Sequence, residues 1–315
     1  MQDLGTLAGM DNSFASEINV RGEVTGNSYA AAGPQHAFVW TESGGMRDLG
    51  TLGGSLSSGG GINAWGQVVG SADTASGSRH AFLWTASGGM RDLGTLPGGT
   101  NSFASAINVW GQVTGTADKA DALGHAFLWT ASDGMRDLGT LPGGTNSSAS
   151  AINARGQVTG NADAAGGATH AFRWSTTGGM QDLGALPGGA FSSGNAINDL
   201  GQITGNADLA GDGSHPFRWT ASGGMQNLSP DGCSTCVGLA INDLGQITGR
   251  TRFTPGGPKR AFRWTASGGL EDLGTLPGGT NSFASAINNR GQVTGFADTG
   301  DGVSHAFLWT PGRVR

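Results

Sequence analysis

A unit of about 45 residues recurs along this chain, and that period constrains the fold more tightly than anything else in it. Asp-Leu-Gly begins at Asp3, Asp48, Asp92, Asp137, Asp182 and Asp272, with Asn-Leu-Ser at Asn227. An Ile-Asn pair places its asparagine at Asn19, Asn63, Asn108, Asn153, Asn198, Asn242 and Asn288. A tryptophan closes each unit at Trp40, Trp84, Trp129, Trp174, Trp219, Trp264 and Trp309. Spacings between successive members are 44 to 46 residues, so seven units fill the 315 residues as a single domain.

Within residues 90–130 four short segments read as strands. They are residues 90–96, then 103–108 after a Pro-Gly-Gly-Thr-Asn-Ser turn, 112–117 rich in Val and Thr, and 125–130 after a polar loop. No stretch has sustained helical periodicity with caps. Four strands in about 45 residues is the arithmetic of a propeller blade, so the expected fold is all-β, a seven-bladed β-propeller of four-stranded blades. A β-solenoid is the alternative, but it uses shorter repeats and leaves sheet edges to cap, which a closed ring removes. The phase of the ends favours closure. The chain starts in mid-unit at Met-Gln-Asp-Leu-Gly and ends just after Phe307-Leu308-Trp309. The N-terminal strand, residues 1–7, is therefore expected to pair with residues 305–310 and complete the last blade.

Composition excludes several other classes. Sixty glycines without a three-residue period exclude collagen, and 37% apolar residues with only 13% charged exclude a solvated coil. No apolar run approaches the ~18 residues of a membrane helix. A net charge of −6 with only two lysines, Lys119 and Lys259, argues against nucleic acid as a partner.

The fourth strand of each unit reads His-Ala-Phe-x-Trp at residues 36–40, 80–84, 125–129, 170–174 and 305–309, with variants at His215 and Arg260. Together with Asp-Leu-Gly-Thr-Leu-Pro-Gly-Gly and Ala-Ile-Asn-x-x-Gly-Gln-Val-x-Gly, this pattern resembles the HAF-repeat family across all seven units. The resemblance implies a bacterial exported or cell-surface protein and supplies no catalytic residues to carry over. No signal peptide is visible. Met1 aligns with Met46, Met90 and Met135, so it reads as a repeat residue and the chain as a mature or trimmed one.

Six histidines that repeat with the blade point to a structural network, each imidazole bonding a loop carboxylate or hydroxyl. The Asn of Ile-Asn is assigned to the turn that follows it, where Asn tolerates left-handed geometry and bonds its own backbone. The repeated tryptophans are assigned to packing between blades. Trp65 and Trp110 differ: they stand where other units carry Arg21, Arg155, Leu200, Leu244 or Arg290. An unrepeated Trp pair in adjacent blades can stack on a sugar or on a partner protein. Asn101, Asn146 and Asn281, in near-identical loops such as 97–108 and 277–288, offer repeated equivalent subsites with the avidity that brings.

Asp208 with Asp212, and Asp298 with Asp301, combine oxygen donors with turn glycines and are candidate Ca²⁺ ligands, although the full EF-hand spacing is missing. Cys233 and Cys236 form a lone Cys-x-x-Cys without zinc partners and read as a short loop disulfide. Glu17 and Glu23 replace Ala and Gln in the first unit only. If they lay 5–9.5 Å apart they would suit a glycosidase-like pair. The expected function is a non-catalytic extracellular or cell-surface module, monomeric, that binds a glycan, matrix polymer or protein. A polysaccharide hydrolase or lyase and a purely structural scaffold are the alternatives.

Overall fold

A computed structural model describes residues 1–31, 33–211, 213–228, 237–254 and 256–312. Seven four-stranded antiparallel meanders stand in a ring, each made of consecutive strands apart from the last. In the third blade the strands run Ser102–Ile107, Val113–Asp118, Gly124–Thr130 and Gly134–Asp137, from the channel outwards. The predicted strand at residues 90–96 is shorter, Gly89–Asp92. The Asp92 carboxylate accepts the Gly94 N–H at 2.8 Å, and Gly94, at φ 73°, turns the chain away.

Blade faces meet other blades, so the third strand is buried on both sides rather than alternating. Phe127 and Trp129 pack back on Val69, Ala81, Leu93 and Leu96 of the preceding blade. Ala126 and Leu128 pack forward on Phe172 and Trp174 of the next one. The inter-blade role expected of the tryptophans is thus the one they have. Close approach within a blade needs glycine at one point. A Cβ on Gly115 would sit 1.9 Å from the Phe103 carbonyl oxygen, beside the bulge between Ala104 and Ala106 that interrupts the inner strand's register.

The ring closes as the phase of the repeat implies, through a smaller seam. Gln2–Asp3 pairs with Ser304–Trp309 in register Gln2↔Leu308 and Asp3↔Phe307, and the Leu4 N–H adds a bond to the Ala306 carbonyl at 3.0 Å. Chemically the seam repeats the interface between the second and third blades. Ser102 accepts the Ala81 N–H at 2.8 Å and donates to the Gly94 carbonyl at 2.5 Å, and Ser13 does the same with Ala306 and Gly5. Phe14 meets Phe296 edge-on at 4.5 Å across the closure.

Five of the six histidines bond carboxylates, but those on the neighbouring outer strand rather than in loops. His36–Asp48, His80–Asp92, His125–Asp137 and His170–Asp182 are 2.7–2.9 Å pairs within a blade. His305–Asp3, at 2.8 Å, ties the two ends of the chain.

Candidate functional site

The turns that follow the inner strands gather at one end of the ring, around the mouth of the central channel. Each Ile-Asn asparagine there is fully engaged. The Asn108 Oδ1 accepts the N–H groups of Trp110 and Gln112, both at 3.0 Å. Its Nδ2 donates to Gln112 Oε1 at 2.7 Å and to the carbonyl of Asn153, in the next blade, at 3.1 Å. Seven such inter-blade bonds of 2.9–3.1 Å form a closed circle, the last from Asn288 to the Asn19 carbonyl. The left-handed residue of the turn is the glycine three positions on (Gly111, φ 75°), not the asparagine as expected. With every amide atom used, the circle is a clasp and offers a ligand nothing.

The circle surrounds a channel cavity of about 250 Å³, lined besides the asparagines by small residues such as Gly61, Ala106, Ala151 and Ala196. Glu17 occupies the corresponding place in the first blade. Burial pushes its carboxyl up to about 7, against a lesser opposing effect of the Ile18 N–H, which it accepts at 3.1 Å. Glu23 lies elsewhere, at the rim, where it takes Arg21 Nη2 at 2.7 Å and Asn19 Nδ2 at 2.6 Å. The two acids line different cavities, one in the channel and one outside it.

That outer cavity, about 300 Å³, opens between the first and second blades on the same face. Trp65 forms one wall, Arg21 and Glu23 the inner end, and Arg47 and Trp84 the floor. Trp65 is 71% exposed, yet it is anchored: its Nε1 donates to the Val109 carbonyl of the third blade at 3.0 Å. Trp110, 75% exposed, leans in the same way on Ala154 of the fourth blade at 2.8 Å. The Arg47 guanidinium lies 5.0 Å over the Trp84 ring. An anchored aromatic face beside a guanidinium and a carboxylate can stack on an apolar ring face and hydrogen-bond the polar groups at its edge.

Asn101, Asn146 and Asn281 lie at the opposite end of the ring, because they precede the inner strands that Asn108, Asn153 and Asn288 follow. Their Nδ2 atoms donate to Asp118, Asp163 and Asp298 at 2.8–2.9 Å. Their Oδ1 atoms accept the N–H groups of Arg79, Gly124 and Lys259 in the preceding blades. Asp298 is thus engaged in an inter-blade clamp. Asp301 accepts the Thr299 hydroxyl, which, with backbone N–H groups, holds its carboxyl below the usual carboxylate range. Asp208 is half-buried at the end of its strand. Among the described residues no three His, Cys, Asp or Glu side chains cluster to hold a metal ion. Asp212, Cys233 and Cys236 lie outside the described residues.

The Arg21–Glu23 pair beside Trp65 escaped sequence reasoning. The available signal was that the one unit carrying Glu in place of Gln immediately precedes the one carrying Trp65.

No known protein-family model matches the chain, and no curated protein matches it. Solved structures do. The β-propeller domain of the Trilobed protease from Pyrococcus furiosus, which has an open velcro topology, aligns over 96% of both chains with a TM-score of 0.61 and 9% identity. The BP39L lectin from Burkholderia pseudomallei aligns over 96% of this chain and 97% of its own with a TM-score of 0.55 and 12% identity. TolB from Acinetobacter baumannii gives 0.53 at 12% identity over 84% of this chain, which spans 64% of TolB. Identities this low establish the fold, a seven-bladed β-propeller, and nothing finer.

Proposed function

We propose that this protein is a non-catalytic, monomeric propeller that binds carbohydrate in the groove between its first and second blades. One observation carries the reading: Trp65, an indole absent from the corresponding place in five of the seven units, is largely exposed yet held by its Nε1 bond at the wall of a 300 Å³ cavity. A fixed aromatic face costs little entropy to present to a sugar ring, and the Arg21–Glu23 pair offers donors and acceptors for hydroxyls. The lectin among the similar structures supports a glycan ligand by analogy of fold alone. The HAF-repeat resemblance supports an exported or cell-surface location.

A protein partner is the second reading, favoured by Leu200 and Leu244, which are 59% and 69% exposed at the positions equivalent to Trp65 in the fifth and sixth blades. A broad glycan array decides between them, run with the intact chain and Trp65→Ala, with calcium and after chelation. Selective binding that Trp65→Ala abolishes supports the carbohydrate reading. Loss on chelation would bring the Asp loops into the site. A blank array in both conditions overturns the carbohydrate reading in favour of a protein partner.

A further inference from the structure

The first groove does not stand alone, because the repeat carries its floor from blade to blade. Arg91 lies 5.5 Å over Trp129, and Arg136 5.7 Å over Trp174, as Arg47 lies over Trp84. These three arginines occupy one position of the outer strand in three consecutive blades. The remaining blades carry Gln181, Gln226, Glu271 and Gln2 there. Trp110 stands at the rim of the second groove as Trp65 does at the first, and Arg155 at the rim of the third.

The charges depart from the repeat in one direction. Arg21, Arg79 and Arg263 each have a carboxylate partner, whereas Arg47, Arg91 and Arg136 are exposed and have none among the described residues. In the first groove the inner acid is Glu23, and in the second and third Gln67 and Gln112 replace it, each taken up by its asparagine clasp. The acids on these hairpins are Glu42, Asp133 and the outer-strand Asp48, Asp92 and Asp137; Asp133 already accepts from Thr130 and Ser132, and the three outer-strand carboxylates are taken by His36, His80 and His125. A chain of net charge −6 therefore keeps three exposed, unpaired guanidiniums in one row of aromatic-floored grooves.

We propose that the carbohydrate bound here is a linear polysaccharide bearing carboxylates, laid across the first three blades with acid groups on Arg91 and Arg136. This rests on the carbohydrate reading above and adds the ligand's charge and length. A guanidinium beside an indole face spends no N–H group on a hydrogen bond there, and its fork of donors matches a carboxylate with two parallel hydrogen bonds. The indoles at the rim supply stacking for the sugar rings between acid groups.

Polygalacturonate and its fully methyl-esterified form, matched in length, separate charge from sugar shape. Binding of each is measured by calorimetry at low and high salt, with the intact chain, Arg91→Gln and Trp65→Ala. Arg91→Gln should fold normally, since glutamine is native at this position in the fourth and fifth blades. The acid form should bind about tenfold or more tighter than the ester and weaken in salt. Arg91→Gln should remove most of that difference, while Trp65→Ala weakens binding of both forms. Equal binding of acid and ester, with Arg91→Gln silent, overturns the acidic ligand and leaves the carbohydrate reading standing. Binding of neither, while the array shows Trp65-dependent binding of a neutral glycan, does the same. Binding of neither with a blank array overturns both.

Discussion

Replacing Glu17 with alanine should make this propeller more stable at pH 8 and leave it unchanged at pH 4. Alanine already stands at the equivalent place in five blades, at Ala106, Ala151, Ala196, Ala240 and Ala286, so the change is sterically native to the fold. The channel raises the Glu17 carboxyl from 4.5 to about 7. A group that holds its proton more tightly when folded favours the native state while it is protonated, and that advantage is lost as the pH climbs from 4.5 through 7. At about 1.4 kcal/mol per pH unit, ionised Glu17 costs the folded protein up to about 3 kcal/mol at pH 8. Glu17 is only half-buried against the open channel, and water reaching it there makes this figure a ceiling. With an unfolding entropy of roughly 2.1 cal/mol/K per residue over 315 residues, the gain corresponds to a Tm rise of up to about 5 °C. Thermal melts of both proteins across pH 4–8 isolate the effect, because all other titrating groups cancel in the difference. A Tm difference that stays flat between pH 5 and pH 7 would refute the reasoning.

Asn108→Ala strips partners from the N–H groups of Trp110 and Gln112 and from the Asn153 carbonyl, and should cost about 2–4 kcal/mol in denaturant unfolding; a loss below about 1 kcal/mol would mean the clasp carries little. Deleting residues 1–4 removes the outer strand of the last blade, the His305–Asp3 pair and buried Leu4, so the melt should drop sharply and the bared strand edge should drive association on size exclusion. An unchanged monomer peak and Tm would show that the seam is dispensable. Gly115→Ala forces a Cβ to within 1.9 Å of the Phe103 carbonyl oxygen and should destabilise by about 3 kcal/mol or more, with hydrogen exchange rising first in the third blade. Protection there equal to the parent's would contradict that close contact.

Strand number, blade number and the closing seam were legible in the sequence, because each depends on a period and a phase that counting along the chain reveals. One short outer segment, Gly-x-x-Asp in most blades, and one Trp-bearing third strand per blade recur whatever the ring does with them. The inter-blade role of Trp84 and Trp129 followed from the same alternation, since both faces of a blade must be covered. The histidine partner was misplaced for want of register: His125 meets Asp137 only because the hairpin between them pairs Phe127 with Asp137.

What the tertiary structure alone decided is everything that one blade does to the next. Asn108 looks like a local turn residue until the Asn153 carbonyl arrives from a unit 45 residues away and the seven turns close into a circle. Glu17 and Glu23, six residues apart, look like a pair until the bulge and turn send one into the channel and the other to the rim. Trp65 is an odd residue in the sequence and a wall in the structure, because its groove is half built by the first blade and its indole is held by the third. The repeat specifies each unit through local pairing and alternation, whereas a cavity between units exists only after packing fixes which faces meet, and no period along the chain encodes that distance.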